Sequence, residues 1–233
     1  MQDLTRYLPP RDTRDRTAVL ELAHDLVAAI GGRHLLITGI PLPRGDIRPL
    51  LLRMDWPDAW AARYLRGGLW RADPMVAPSQ GVRSFVRADE LLRRDGTPEQ
   101  TRDLLRDAGE AGLGGLISFP FMKVGAYQLA LVAAFGAVDD ATLLMARAVL
   151  QGLVDHLHEV SPDSLARPGQ LTARERQIVA ETAVGKTSAE IASDLDISAR
   201  TVFAHLTAAG GKLGASNKTS TVVEAIRYGQ IEI

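Results

Sequence analysis

The sequence predicts an α+β protein in two parts. Residues 1–162 are expected to form an α-β-α sandwich. A linker at 163–170 leads to an all-α domain of four helices over 171–233. Three observations carry this division. Strand-like and helix-like patterns are mixed as far as Val160. The stretch "SPDSLARPGQ" then shows two prolines, a glycine and no apolar period. After it, no strand pattern remains between Leu171 and Tyr228.

The elements follow in chain order. Val19, Leu22, Ala23, Leu26, Val27 and Ile30 recur at helical steps within Arg14 to Ile30, and Gly31-Gly32 stops that helix. "HLLITGI" reads as a buried strand, and "LLRM" at Leu51 to Met54 as a second. Asp55 or Pro57 opens a short helix carrying Trp60 and Tyr64, closed by Gly67-Gly68. Thr97 opens another, with proline in its first turn and Glu99 beside the positive end of the helix dipole. "LISFPF" and "YQLALVAAF" read as paired strands around a turn at Gly125, and Asp139 to Val160 as a long amphipathic helix.

In the C-terminal part, Thr172 with Glu175 and Thr187 with Glu190 have capping-box spacing. "DIS" is a tight turn, Ser198 caps a third helix, and Asn217 caps a fourth that runs from Lys218 to Tyr228. A short helix, a tight turn and a second helix make a helix-turn-helix, whose second helix enters the major groove of DNA.

Composition bounds the chemistry. With 46% hydrophobic residues in 233, the chain can bury a sizeable core. It contains no cysteine, which excludes disulfides, thiolate metal sites and cysteine nucleophiles, and suits a reducing cytoplasm. The net charge of −1 argues against wholesale attraction to nucleic acid or anionic membrane. The most apolar region, Leu113 to Val138, is broken by Pro120, Lys123 and Gln128, so no membrane span is expected. No serine stands in a nucleophile elbow, no glycine-rich phosphate loop follows a strand, and the five histidines are scattered. No enzyme, metal or resident cofactor is expected.

The stretch "LTARERQIV…GKTSAEIASDLDISARTVFAHL…KLGASNKTSTVVEAIRYG" resembles the DNA-binding domain of the LuxR family. The resemblance implies contacts to double-stranded DNA from Thr187, Arg200, Thr201, Phe203, Lys212 and Lys218. Phe203 stands where the family usually has a basic residue, and Gly210 where it has a large apolar one. Acidic and basic side chains balance between Leu171 and Ile233, so DNA binding is expected to be modest, salt-sensitive and dimer-dependent.

A phosphoacceptor receiver does not fit the first part, whose only lysine is Lys123 and whose first strand ends in no acidic pair. Instead, "WAARYLRGGLWRADP" and "GLGGLISFP" resemble the autoinducer-binding domain of the same family. Trp60 and Tyr64 lie four residues apart, on one helical face, and Asp73 follows a short loop. By the resemblance, Trp60 donates to a lactone carbonyl, Tyr64 to an acyl carbonyl, and Asp73 accepts from the ligand amide. A second family tryptophan, some fifteen residues on, is replaced here by the neighbourhood "VRSFVRAD". Either Phe85 packs against the ring or Arg87 occupies the site. Leu116 stands for a family glycine and narrows the pocket, and Ser118 assists acyl recognition. Trp60 and Tyr64 as plain core aromatics, with Asp73 as a helix cap, is the competing reading.

The expected protein is thus a cytoplasmic, homodimeric quorum-sensing regulator of the LuxR type. It senses an acyl-homoserine lactone or related signal, binds a palindromic operator and addresses the transcription machinery. Two alternatives remain open: a non-lactone or absent ligand, and an antagonist that heterodimerises with a related regulator.

Overall fold

The computed structural model describes residues 3–41, 45–76, 84–121, 129–160 and 171–232. Contacts divide the chain into two compact units, the first comprising Met1–Ile40, Ile47–Phe121 and Leu129–Ala166, the second centred on Arg167–Ile233. The expected linker and the turn at Gly125 lie outside the described residues.

The first unit is built on a five-stranded antiparallel sheet, in the order β2-β1-β5-β4-β3. The strands are β1 (Gly32–Gly39), β2 (Leu51–Met54), β3 (Val86–Arg87), β4 (Leu116–Phe121) and β5 (Leu129–Phe135). Helix α1 (Arg16–Ala29) begins one residue after Asp15, whose carboxylate accepts from the Thr17 N–H. That cap, rather than the apolar period, sets the start of the helix. The period-2 alternation of β5 serves two layers. Leu129 and Leu131 face Val19, Leu20 and Ala23 of α1 and Leu150, Leu153 and Leu157 of α5 (Asp140–Val160). Ala130, Val132 and Ala134 face a second layer. That layer holds α2 (Asp58–Gly67), α3 (Ala88–Arg93) and α4 (Glu99–Ala108). The α-β-α sandwich is therefore observed, with α4 continuing into a π-turn at Gly109–Leu113.

The second unit is all-helical: α6 (Ala173–Ala183), α7 (Ser188–Asp194), α8 (Ala199–Leu213) and α9 (Lys218–Arg227). Both capping boxes are formed, and Ser198 and Asn217 cap α8 and α9. Between α7 and α8, Asp196 takes a left-handed φ of 50° and the Ile197 N–H donates back to the Ala192 carbonyl, closing the tight turn. Ile178, Val179, Ile191, Val202, Leu206 and Leu213 fill the core.

The two glycines of α8 play opposite parts. Gly210 is buried, and a Cβ there would sit 3.0 Å from the Thr221 hydroxyl of α9, so the missing side chain lets the two helices approach. Gly211 is exposed and faces open space. Gly211→Ala is expected to stabilise this unit by about 1 kcal/mol, the helix-propensity difference, read as a raised melting temperature; Gly210→Ala should lower it.

Candidate functional site

Helix α2 ends at Gly68, whose left-handed φ of 64° lets its N–H return to the Tyr64 carbonyl. A 3-10 turn over Leu69–Arg71 follows and swings the chain back over the helix. Asp73 is thereby set against Tyr64, nine residues earlier in sequence. The Tyr64 hydroxyl donates to Asp73 Oδ2 at 2.7 Å, and the Met75 N–H donates to Oδ1 at 2.8 Å. Asp73 thus caps the turn at 74–76 and joins the tyrosine in a buried polar pair.

Asp73 is only 4% exposed and bonds no cationic side chain among the described residues. Burial pushes its carboxyl up to about 6, partly opposed by the bonds from Tyr64 and the Met75 N–H. Burial also raises the Tyr64 phenol well above its ordinary value, reinforced by the Asp73 carboxylate. An ionised carboxylate has about four acceptor positions. Two are used here, which leaves capacity for a further donor.

Around this pair stand all three tryptophans. Trp56 meets Tyr64 edge-on with ring centroids 5.0 Å apart, and Trp60 and Trp70 lie at 6.4 and 6.5 Å. Each indole is buried, yet none of the three N–H groups finds an acceptor among the described residues. A buried donor left unpaired costs on the order of 1–3 kcal/mol. Three together around Tyr64 are difficult to account for in a core that is only structural. The sequence singled out Trp60; Trp56 and Trp70 share its geometry, and the clustering of all the chain's indoles within fifteen residues was the signal for them.

The rest of the lining is small or aliphatic: Met75, Val86, Ala88, Leu116, Ala130, Val132 and Ala134. Leu116 faces the cluster, as expected. Ser118 does too, but its hydroxyl donates to the Met75 carbonyl at 2.6 Å, so it fastens the Asp73 turn to β4. Phe85 does not join Trp60 and Tyr64. Strand alternation turns Val86 and Ala88 inward and Phe85 outward, onto Phe119 at 6.2 Å. Arg87 is likewise outside, bonded to the Val138 carbonyl and to Asp140 at the start of α5. Val86 and Ala88, rather than an indole, thus face the cluster here, and Arg87 does not enter it.

In the second unit, Arg200 and Phe203 are exposed on α8, three residues apart on one face, and Lys218 is exposed at the start of α9. Thr201 shares a hydrogen bond with Ser198, and Thr187 is committed to the α7 capping box. Lys212 has a partner within the domain that the sequence did not show. Its ammonium bonds Glu175 Oε2 at 2.7 Å, and Glu175 is 5% exposed. Burial would raise the Glu175 carboxyl, but Lys212 and the Thr172 N–H outweigh it and hold the group below its usual value. Lys212 ties the end of α8 to the capping box of α6.

With this geometry in hand, residues 15–160 match the family model "Autoinducer binding domain", and residues 169–225 match "Bacterial regulatory proteins, luxR family". The chain is 31% identical to the quorum sensing-dependent transcriptional regulator RpaR of Rhodopseudomonas palustris, over 93% of this chain and 89% of that protein. Its fold resembles that of Escherichia coli SdiA, with a TM-score of 0.59 at 21% identity, over 99% of this chain and 96% of that one. A second SdiA structure, in complex with octanoyl-rac-glycerol, matches with a TM-score of 0.58 at 20% identity over the full length of both chains.

Proposed function

We propose that this chain, which belongs to the LuxR family of bacterial regulatory proteins and carries its autoinducer-binding domain, is switched by an acyl-homoserine lactone or a close acyl relative held between the indoles and Asp73. The family is one of quorum-sensing transcriptional regulators and not of enzymes. The observation that carries the ligand reading is the set of three buried, unpartnered indole N–H groups on rings packed around Tyr64, whose hydroxyl bonds a buried carboxylate with spare acceptor capacity. Such a ligand offers carbonyls to the donors, an amide N–H to Asp73 and an alkyl chain to the aliphatic lining. The acyl ligand of the SdiA complex supports the class by analogy.

In this reading the sensor spans 1–162 and the DNA-binding domain 171–233. Ligand binding stabilises the sensor by mass action and favours a cytoplasmic homodimer, which presents two recognition helices to a palindromic operator and acts on the transcription machinery. The test is the melting temperature of the purified chain against a panel of acyl-homoserine lactones of varied chain. A rise of several degrees with one chain type is expected. Trp60→Phe should reduce affinity for that lactone about tenfold, one hydrogen bond's worth, while leaving the ligand-free melting point unchanged or higher because one orphan donor is gone. A flat panel on a well-folded protein would overturn the lactone reading.

A further inference from the structure

We infer that the recognition helix α8 reads thymine methyl groups, with Phe203 as the central contact. The inference rests on the DNA-binding reading of this domain and adds what the domain recognises. Second helices of helix-turn-helix units lie in the major groove, where bases are distinguished by hydrogen-bonding edges and by the C5-methyl of thymine. The outward face of α8 offers almost nothing to the first kind of reading. Its exposed residues after Arg200 are Phe203, Ala204, Thr207, Ala208 and Gly211. None has a long polar side chain, and the one hydroxyl, on Thr207, donates to the Phe203 carbonyl of its own helix at 3.0 Å. Its donor thus spent, Thr207 has its methyl and acceptor lone pairs left for a partner.

Phe203 itself is 67% exposed, the most exposed large apolar side chain among the described residues. It lines a groove shared with Ser188, Thr207, Gly210, Asn217 and Lys218. Exposing a phenyl ring to water costs free energy that a structural role would avoid. Its place between two exposed cations, Arg200 on the same face and Lys218 across the groove, fits a polyanion with apolar features on its surface. Duplex DNA rich in thymine has that character. Arg200, at the first turn of α8, is placed for a guanine edge or a phosphate, so the expected half-site has thymines next to one guanine.

The test selects binding sites from randomised duplexes with the full-length chain, with and without whichever lactone raises its melting temperature. Enriched half-sites should carry thymines where α8 docks. Replacing each thymine by deoxyuridine removes only the methyl, and one of these changes should weaken binding roughly fourfold, the worth of one buried methyl. Phe203→Ala should bind the thymine and deoxyuridine duplexes equally and melt at the wild-type temperature. Enriched sites without thymine, or thymine sites indifferent to deoxyuridine, overturn the inference and leave DNA binding intact. A Phe203→Ala protein that melts early while keeping methyl discrimination assigns the ring to structure and also overturns it. Failure to enrich any sequence removes the DNA-binding reading and this inference with it.

Discussion

Asp73→Asn is expected to abolish the ligand response and, at the same time, to make the ligand-free protein more stable at neutral pH. The two effects come from one charge. In the folded chain the Asp73 carboxyl is pushed up to about 6, from an ordinary value near 3.8. Below about pH 3 it is protonated in both folded and unfolded chains and contributes nothing. As pH rises from 4 through 6, the unfolded chain releases its proton first, so stability falls by about 3 kcal/mol for a shift of two units. Asparagine keeps an oxygen for the Met75 N–H and can meet the Tyr64 hydroxyl without carrying that charge. Melting at pH 7.5 should therefore rise in the variant, and toward about pH 3 the two proteins should converge. The ligand reverses the sign: its amide N–H favours the ionised carboxylate, so affinity should drop about tenfold from pH 7.5 to pH 5 in the wild type. A full ligand response in Asp73→Asn, or a pH-independent one in the wild type, would sink the assignment.

What was legible in the sequence divides along the same physical lines. Capping boxes, the helix-turn-helix and the Trp60, Tyr64 and Asp73 constellation are local features. Their spacing along the chain is nearly their spacing in space, and the structure forms them where expected. The role of Phe85 was not legible. It depends on which face of a two-residue edge strand turns inward, and a slip of one residue exchanges Phe85 for Val86. The partner of Lys212 was hidden for a related reason. On a helix it is one cation among several, and only the folding of α8 against α6 shows that Glu175, thirty-seven residues earlier, claims it. Gly210, standing where the family has a large apolar residue, is the point where α9 approaches, which only the packed helices show.

Arg200 and Lys212 should consequently part company when each is removed. Arg200 is exposed on the outward face of α8 and its loss disturbs no packing. Arg200→Ala should melt like the wild type yet, in the proposed dimer on two half-sites, lose specific DNA affinity by roughly a hundredfold or more, since each half-site would forfeit a contact worth about 1–3 kcal/mol. Lys212→Met leaves Glu175 nearly buried with its cation gone, held only by the Thr172 N–H and the packing of α6. That should cost about 1–3 kcal/mol and lower the melting temperature by several degrees. DNA affinity of the folded fraction should stay within about twofold, and the salt dependence should be unchanged, since no phosphate contact is lost. Salt titrations of both variants against one operator duplex, with melting curves alongside, separate these outcomes. An unchanged melting point for Lys212→Met with a salt slope reduced by about two, one for each half-site, would place Lys212 at the DNA interface. The contrast matters because the domain's charges balance: with few free cations to spend on phosphate, each one that is exposed carries a larger share of the binding.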